Sequence, residues 1–289
     1  MATIRELLDA GRTFSFELMP PRTPEREQLL EQALTELEPL RPSFVSITYG
    51  AGGSTRHRTH DLVTKLLGTS MVPMAHLTCA AHTRAELTDI LIRYREVGLR
   101  NILALRGDPP LDSDGVLPDG ELQRAADLVE LTRSVGDFCV AVAAHPDKHP
   151  HAPDLATDRK HQAAKLAIAD LGVTQFLFRP ERYFSLVDDL ASLGVHTPII
   201  PGIMPPSNVN QLTRMAELSG AEIPREVHER LEAAGDDPNA VRQVGIDIAT
   251  EVAQGLLDGG APGLHIYTMN KSEATRAIYA NLGLTPTAS

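Results

Sequence analysis

The sequence has only two cysteines, no tryptophan and few aromatic residues, which make up 4% of its 289 residues. Two cysteines cannot form a disulfide framework or a four-thiolate metal site. Both Cys79 and Cys139 lie in apolar stretches of the sequence, so we predict buried, unreactive thiols at these positions.

Long apolar runs and an excess of positive charge are also missing. Nowhere do about 18 consecutive apolar residues occur, so no membrane-spanning helix is predicted. The opening segment MATIRELLDAG carries Arg5, Glu6 and Asp9, and so lacks the apolar core of a signal peptide. Lys and Arg number 27 against 38 Asp and Glu, a formal net charge of −11, with no long basic run. We therefore expect a soluble, cytoplasmic protein that binds neither membrane nor nucleic acid.

Short β-rich runs alternate along the chain with longer segments of helical period. Several runs are almost continuously apolar, as expected for parallel strands that helices cover on both faces. There are eight such runs, beginning near Phe14, Phe44, Val72, Asn101, Cys139, Val173, Thr197 and Gly263. Strict alternation of strand and helix is compatible with an open doubly wound sheet or with a closed barrel.

The glycine pattern decides between these two architectures. An open sheet normally carries G-x-G-x-x-G after its first strand. Here the first strand ends ELMPPRTPE, with no glycine, and the later run GAGG has the wrong spacing. Barrels of about 250 residues are ordinary single domains. We predict an α/β fold, a (β/α)₈ TIM barrel, with residues 1–289 as one catalytic domain.

Two helices have clear boundary signals. Thr23 and Pro24 are predicted to cap and begin the first long helix. Its predicted buried stripe is Leu29, Leu30, Ala33, Leu34 and Leu37. Thr83 with Glu86 matches a capping box, and Gly98 is predicted to close that helix in the left-handed region.

Polar residues recur where the predicted strands end, which is where barrels carry their chemistry. They are Glu17, Thr48, His76, Asp108, His145 and Gln175. Glu17 is flanked by apolar residues, so its carboxylate is either paired structurally or desolvated, with a raised pKa and a proton to donate. Asp108 precedes a proline and is either a turn residue or an anion at the same mouth. Together the residues indicate acid-assisted chemistry on a small polar substrate.

Eight segments, in order and spacing, resemble the methylenetetrahydrofolate reductase family from about residue 13 to residue 283. They are FSFELMPPR, FVSITYGAGGS, AHLTC, LALRGDPP, VAAHPDKHP, VTQF, IIPGIMP and HIYTMN. The combination of ExxPPR on the first strand with LRGD on the fourth is the specific part. The resemblance implies a bacterial catalytic domain that reduces 5,10-methylenetetrahydrofolate to 5-methyltetrahydrofolate. The hydride donor is NADH or NADPH, and the family normally uses a bound FAD.

The resemblance also implies roles for individual residues. Glu17 would protonate the folate so that its five-membered ring opens to an iminium cation, and Asp108 would hydrogen-bond the pterin. Gln175 would contact folate or nicotinamide. Tyr267 and Lys271 would bind the substrate, with Lys271 attracting the folate's glutamate carboxylate, although without the bidentate fork of the usual Arg. The implied cofactor-binding residues are Thr48, His76, Arg106, Gly107, Ala125, His149 and Lys165.

The sequence departs from the family pattern around the flavin. His145 replaces the tyrosine of the family's AAYPE motif. Arg124 replaces an aromatic residue that precedes the conserved alanine of the barrel's fourth helix, Ala125 here. On the next helix, His161 replaces the family's usual Asn, and Ala164 precedes Lys165. The turn after that helix is one residue shorter than in the family. Val209 replaces the phenylalanine that the family commonly has after the seventh strand. These changes favour a flavin-free enzyme, in which the nicotinamide reduces the folate directly, over one that retains FAD.

Other classes of protein are less well supported by the residues. His145, His149 and His151 in HPDKHPH could suggest a metal-dependent hydrolase, but they lie in a proline-rich loop, and no H-x-H follows the first strand. We therefore predict no metal site. A non-catalytic binding protein would not need both Glu17 and Asp108. A flavin barrel that acts on another small substrate, such as proline, is the remaining alternative.

Overall fold

The computed structural model describes residues 1–50, 56–107 and 120–285. The strands are β1 Thr13–Leu18, β2 Phe44–Ile47, β3 Pro73–Thr78, β4 Asn101–Leu105, β5 Cys139–Ala144, β6 Leu171–Phe176, β7 Ile199–Ile203 and β8 Gly263–Tyr267. The helices are α1 Ile4–Ala10, α2 Pro24–Leu37, α3 Arg56–Leu67, α4 Arg84–Glu96, α5 Ala125–Val135, α6 Leu155–Leu166, α7 Pro180–Ser192, α8 Val209–Ser219, α9 Arg225–Ala233, α10 Pro238–Asp258 and α11 Ser272–Asn281, with a short 3₁₀ helix at Glu38–Leu40.

The eight strands pair in chain order, and β8 returns to pair with β1, so the sheet closes into a barrel. Every pair is parallel, so the carboxyl ends of all strands lie on one face. The predicted (β/α)₈ fold is confirmed. The predicted carboxyl-end residues that the structure describes thereby lie at a common mouth of the barrel. They are Glu17, Thr48, His76, His145 and Gln175.

The opposite end of the barrel is sealed by apolar packing. Ile4 of α1 is fully buried in a cluster with the interior side chains of several strands. Its N–H donates to the side-chain oxygen of Asn101 at the start of β4, at 2.9 Å. The other members of that cluster are Phe44, Met74, Leu103, Cys139, Ala141, Leu171, Val173 and Ile200. Chemistry is therefore left to the carboxyl-end mouth.

The helix boundaries follow the predicted signals. The Thr23 hydroxyl accepts the N–H of Arg26, and Pro24 begins α2. The capping box between Thr83 and Glu86 begins α4, and Gly98 follows that helix with φ +84°.

The prediction that Leu29 belongs to the buried stripe of α2 is wrong, because this side chain is 56% exposed. The buried residues Leu30, Ala33, Leu34 and Leu37 follow the i, i+3, i+4, i+7 pattern. Leu29 lies about 100° around the helix from Leu30 and so faces solvent.

Both cysteines are buried as predicted, and burial raises the pKa of each thiol to about 11. Such thiols remain protonated and unreactive at neutral pH. Of the helices that the structure describes, none is both long enough and apolar enough to cross a membrane.

Candidate active site at the carboxyl ends of the strands

Glu17 lies one residue before the end of β1, between the buried residues Phe16 and Leu18. Its side chain is 15% exposed and receives no hydrogen bond from the residues that the structure describes. Burial raises the pKa of its carboxyl group to about 8, because a desolvated carboxylate loses its hydration without compensation. At pH 7 this group therefore holds a proton.

His76 on β3 faces Glu17 across the mouth. Its Nε2 atom is buried, has no hydrogen-bond partner within the described ranges, and lies 3.7 Å from Oε2 of Glu17. Burial lowers the pKa of this imidazole to about 3. Both members of the pair are consequently neutral at pH 7, and they form no ion pair in that state.

Tyr267 forms the wall beside Glu17, since the two residues are register partners on β8 and β1. Its hydroxyl donates to the carbonyl oxygen of Thr174 at 2.6 Å. Burial, and then the nearby Glu17 carboxyl group, hold the pKa of this phenol well above its usual value. Gly202 on β7 leaves room for the ring, because a Cβ atom there would lie 2.6 Å from the Tyr267 ring and 2.5 Å from the Thr174 oxygen.

A polar layer beneath the mouth links β8, β1 and β2. The Nδ1 atom of His265 lies 2.8 Å from the hydroxyl of Ser15, and its Nε2 atom lies 3.2 Å from the hydroxyl of Ser46. Because the Ser15 hydroxyl donates to a backbone carbonyl, it accepts from Nδ1–H, and Nε2 accepts from Ser46. Burial lowers the pKa of His265 to about 3, so this layer is uncharged.

A second group of predicted residues lies across β5, β6 and α6. The rings of His145 and His149 contact edge to face, with centroids 4.7 Å apart. Burial, and then the neighbouring Lys165 and His149, lower the pKa of His145 to about 3. Burial also lowers the pKa of Lys165 to about 8. Gln175 lines the same small surface cleft as His145.

Helix α6 fixes the backbone of His145. The N–H of His145 donates to the side chain of Gln162 at 2.8 Å, and its carbonyl accepts from Gln162 and from Arg159 at 3.0 Å each. Asp158 is 2% exposed, and its carboxylate accepts from Gln162 at 2.6 Å. This aspartate is therefore engaged inside the protein.

The remaining predicted residues lie around the same face. Thr48 directly follows β2, and its N–H donates to the carbonyl of Leu18 at 3.0 Å. Arg106 is exposed just after β4, and Gly107 adopts φ +97° and approaches the side chain of Thr78 closely. Ala125 begins α5, and Lys271 is exposed before α11. Asp108 lies outside the described residues.

The loop after β5 contains three potential metal ligands, His145, His149 and His151. The rings of His149 and His151 contact each other, with centroids 5.4 Å apart. Across residues 1–50, 56–107 and 120–285, no group of three or more His, Cys, Asp or Glu side chains could hold a metal ion. The histidine rings of this loop instead contact one another, edge to face between His145 and His149 and tilted between His149 and His151.

A closed parallel barrel with a protonated, buried carboxyl group at its catalytic face defines the class of the molecule as a (β/α)₈-barrel enzyme. Comparison with solved structures supports the same architecture. The chain aligns with an uncharacterised Clostridium thermocellum protein that binds two copies of 5-methyl-5,6,7,8-tetrahydrofolic acid, with a TM-score of 0.68, 15% identity and 97% of each chain covered. It also aligns with Burkholderia cenocepacia dihydropteroate synthase, with a TM-score of 0.51, 12% identity, and 94% and 91% covered.

Sequence comparison is more specific. The family model for methylenetetrahydrofolate reductase matches residues 3–283. The chain is 38% identical to the 5,10-methylenetetrahydrofolate reductase of Pectobacterium carotovorum over 274 residues, which covers 94% of this chain and 90% of the relative. It is 37% identical to methylenetetrahydrofolate reductase (NADH) 1 of Arabidopsis thaliana, over 97% of this chain and 50% of the plant protein. The chain belongs to the methylenetetrahydrofolate reductase family and is an oxidoreductase.

Proposed function

We propose that residues 1–289 form one catalytic domain that reduces 5,10-methylenetetrahydrofolate to 5-methyltetrahydrofolate by direct hydride transfer from NADH or NADPH, without a flavin. The membership of the chain in the reductase family supports the reaction. The protonated, buried carboxyl group of Glu17 at the barrel mouth is the observation that carries the chemistry.

The chemistry needs an acid near neutral pH. Glu17 gives its proton to a folate nitrogen, which keeps the electron pair of the breaking carbon–nitrogen bond, and the five-membered ring opens to an iminium cation. The nicotinamide then delivers a hydride to the methylene carbon, and a methyl group forms. Donation leaves a carboxylate beside the cation, an arrangement that stabilises developing positive charge. The next turnover requires one proton from solvent.

The other predicted residues have binding roles in this proposal. Asp108 hydrogen-bonds the pterin, Gln175 contacts folate or nicotinamide, and Lys271 attracts the folate's carboxylate tail. Tyr267 offers its ring to the substrate, because its hydroxyl is already committed to Thr174. The residues assigned to the dinucleotide are Thr48, His76, Arg106, Gly107, Ala125, His149 and Lys165.

FAD fits the residues at this mouth poorly. The family resemblance implies that a bound FAD would take aromatic and phosphate contacts from the start of α5, the end of β5 and α6. The side chain of Arg124 is 78% exposed and pairs with Asp127, and the ring of His145 packs on His149. His161 and Ala164 are exposed on α6, whereas Asp158 is engaged with Gln162. These observations favour a nicotinamide bound directly beside the folate.

The second candidate is the same reaction through a retained FAD, in two half-reactions. The exposed Arg106 after β4 and the half-buried Lys165 are compatible with it, because FAD and a nicotinamide dinucleotide both carry phosphates that a cation can pair with. A two-step enzyme releases oxidised nicotinamide before folate binds and gives parallel double-reciprocal lines. Direct transfer holds both substrates at once, with the reacting carbons about 3–3.5 Å apart, and gives intersecting lines.

The test uses purified, active protein. It is denatured, released flavin is assayed, and FAD is added to the native enzyme while both substrates are varied. The proposal predicts no stoichiometric flavin, no activation by FAD and intersecting lines. Stoichiometric FAD, or activity that depends on added FAD, would establish the two-step alternative instead.

A further inference from the structure

We propose that Thr268 and Asn270, which follow β8, are positioning residues for the acid Glu17. Their side chains replace the backbone ladder where β1 and β8 separate, and so hold the carboxyl group in place for proton transfer. This inference rests on the proposed function, in which Glu17 is the acid. Both residues lie in the HIYTMN segment of the family resemblance, which implies no role for either side chain.

The backbone ladder between the two strands stops at the catalytic residue. Glu17 and Tyr267 are the last register partners of β1 and β8. Beyond them, Met269 and Asn270 adopt φ +54° and +57°, so the chain turns away from β1. On the other strand, Pro20 and Pro21 have no N–H with which to extend the pairing.

Side chains from the turn take over at this point. The buried hydroxyl of Thr268 donates to the carbonyl of Glu17 at 2.6 Å. The side-chain amide of Asn270 bonds both backbone groups of Met19, donating to its carbonyl and accepting its N–H at 2.8 Å each. The N–H of Asn270 in turn donates to the Thr268 hydroxyl at 3.1 Å.

The opposite side of the strand end is held by β2. The carbonyl of Leu18 accepts the N–H of Thr48 at 3.0 Å. Three consecutive residues are therefore fixed from both neighbouring strands: Glu17 and Leu18 at the end of β1, and Met19 directly after it. Two of the three are held through side chains that a substitution can remove without cutting the main chain.

The carboxyl group depends on this clamp because it has no other anchor among the described residues. No hydrogen bond from them reaches it, and His76 lies at 3.7 Å. The position of its proton is consequently set by the backbone of Glu17 and by packing. A displacement of about 1 Å in a catalytic group can cost about a hundredfold in rate.

Two pairs of variants separate the clamp from general stability. Thr268→Val removes the hydroxyl at nearly constant shape, and Thr268→Ser restores it. Asn270→Gly removes the amide at a left-handed position that glycine tolerates. Met269→Gly is its control, because it adds the same backbone freedom at φ +54° and leaves every clamp hydrogen bond intact.

We expect Thr268→Val and Asn270→Gly to lower kcat by about tenfold to a hundredfold. Thr268→Ser and Met269→Gly should stay within about threefold of the wild type. The dissociation constant of 5-methyltetrahydrofolate should not change, because that complex requires no proton transfer. The solvent deuterium isotope effect on kcat should rise, while the isotope effect with C4-deuterated nicotinamide falls, because the proton step becomes slower than hydride transfer.

Three results would overturn the inference: full kcat in both clamp variants, no rescue by Thr268→Ser, or a lower kcat with unchanged isotope effects. Thermal unfolding checks that each variant is folded. If Thr268→Val does not fold, Asn270→Gly tests the clamp in its place. Glu17→Gln is assayed in parallel. If that variant retains turnover, the proposed function itself fails, whereas an inactive Glu17→Gln with fully active clamp variants contradicts the positioning role alone.

Discussion

Oε2 of Glu17 lies 3.7 Å from Nε2 of His76, and their side chains are only 15% and 8% exposed. The separation exceeds hydrogen-bond distance. Burial raises the pKa of the acid and lowers the pKa of the base, so the proton stays on the carboxyl group even though an imidazole faces it. Glu17 at the barrel mouth is therefore protonated at neutral pH and can act as an acid.

The first prediction concerns the loaded proton itself. Glu17→Gln keeps the shape of the side chain but has no carboxyl proton to give, so kcat should fall by about 10²–10⁴-fold. The affinity for 5-methyltetrahydrofolate, measured by titration calorimetry, should be retained. Glu217→Gln makes the same charge change on the exposed face of α8 and should leave kcat unaltered. Turnover near the wild-type value in Glu17→Gln would remove this residue from the mechanism.

The second prediction concerns the pH dependence of turnover. The acid is active when protonated, and the pKa of Glu17 is raised from 4.5 to about 8. Because kcat/KM reports the acid of the free enzyme, kcat/KM should hold steady through neutral pH and fall about tenfold per pH unit well above 8. A pH profile of kcat/KM with an alkaline limb near 5 would show that this carboxyl group is not desolvated in the free enzyme.

The third prediction follows from the same pKa through linkage. Between about pH 4.5 and pH 8 the folded protein holds a proton on Glu17 that the unfolded chain has lost, so stability falls as pH rises through this window. Glu17→Gln has no such proton to lose, so the free energy of unfolding of the variant should rise relative to that of the wild type as the pH rises. This difference should change by no more than about 1.4 kcal/mol per pH unit and should become constant above about pH 8.

This prediction is tested by measuring the free energy of unfolding of both proteins in urea at several pH values above 6.5. Below that value, the lowered pKa values of His76 and His265 make stability fall as the pH falls. A difference between the two proteins that does not change between pH 6.5 and pH 8 would contradict the raised pKa of Glu17.

The fourth prediction concerns the wall of the mouth. Gly202→Ala introduces a Cβ atom 2.5 Å from the Thr174 oxygen and 2.6 Å from the Tyr267 ring, so one of them must move. We expect a loss of about 1–3 kcal/mol in stability and a higher KM for folate. Gly68→Ala is the control, because its Cβ atom meets only the Lys65 carbonyl, at 3.5 Å. Equal stability of the two variants would show that the wall can adjust.

Much of the architecture could be predicted because its signals are local. Strands begin within about two residues of their predicted starts, since apolar runs and turn residues mark them. Glu17 was identifiable because a carboxylate between buried aromatic and aliphatic residues conflicts with its neighbours. Leu29 was misassigned, because at the edge of a helical stripe 100° of rotation separates core from solvent.

What could not be predicted depends on contacts between distant strands. Ser15, Ser46 and His265 form one layer only after β8 pairs with β1. Each nevertheless lies two residues before a predicted site residue: Glu17, Thr48 and Tyr267, respectively. The clamp by Thr268 and Asn270 depends on left-handed backbone at Met269, for which the sequence has no glycine signal. Asp108 lies outside the described residues, so its role stays a prediction.

The most direct test of the central proposal follows one hydrogen atom. The enzyme is supplied with nicotinamide cofactor carrying deuterium at the transferred C4 position, and the methyl group of the product is analysed by mass spectrometry. Direct transfer predicts one deuterium in each product methyl group, because a hydride passed from carbon to carbon never meets water. A product methyl group without deuterium, with the label found in solvent, would contradict direct transfer, because the hydride would then have passed through an exchangeable carrier.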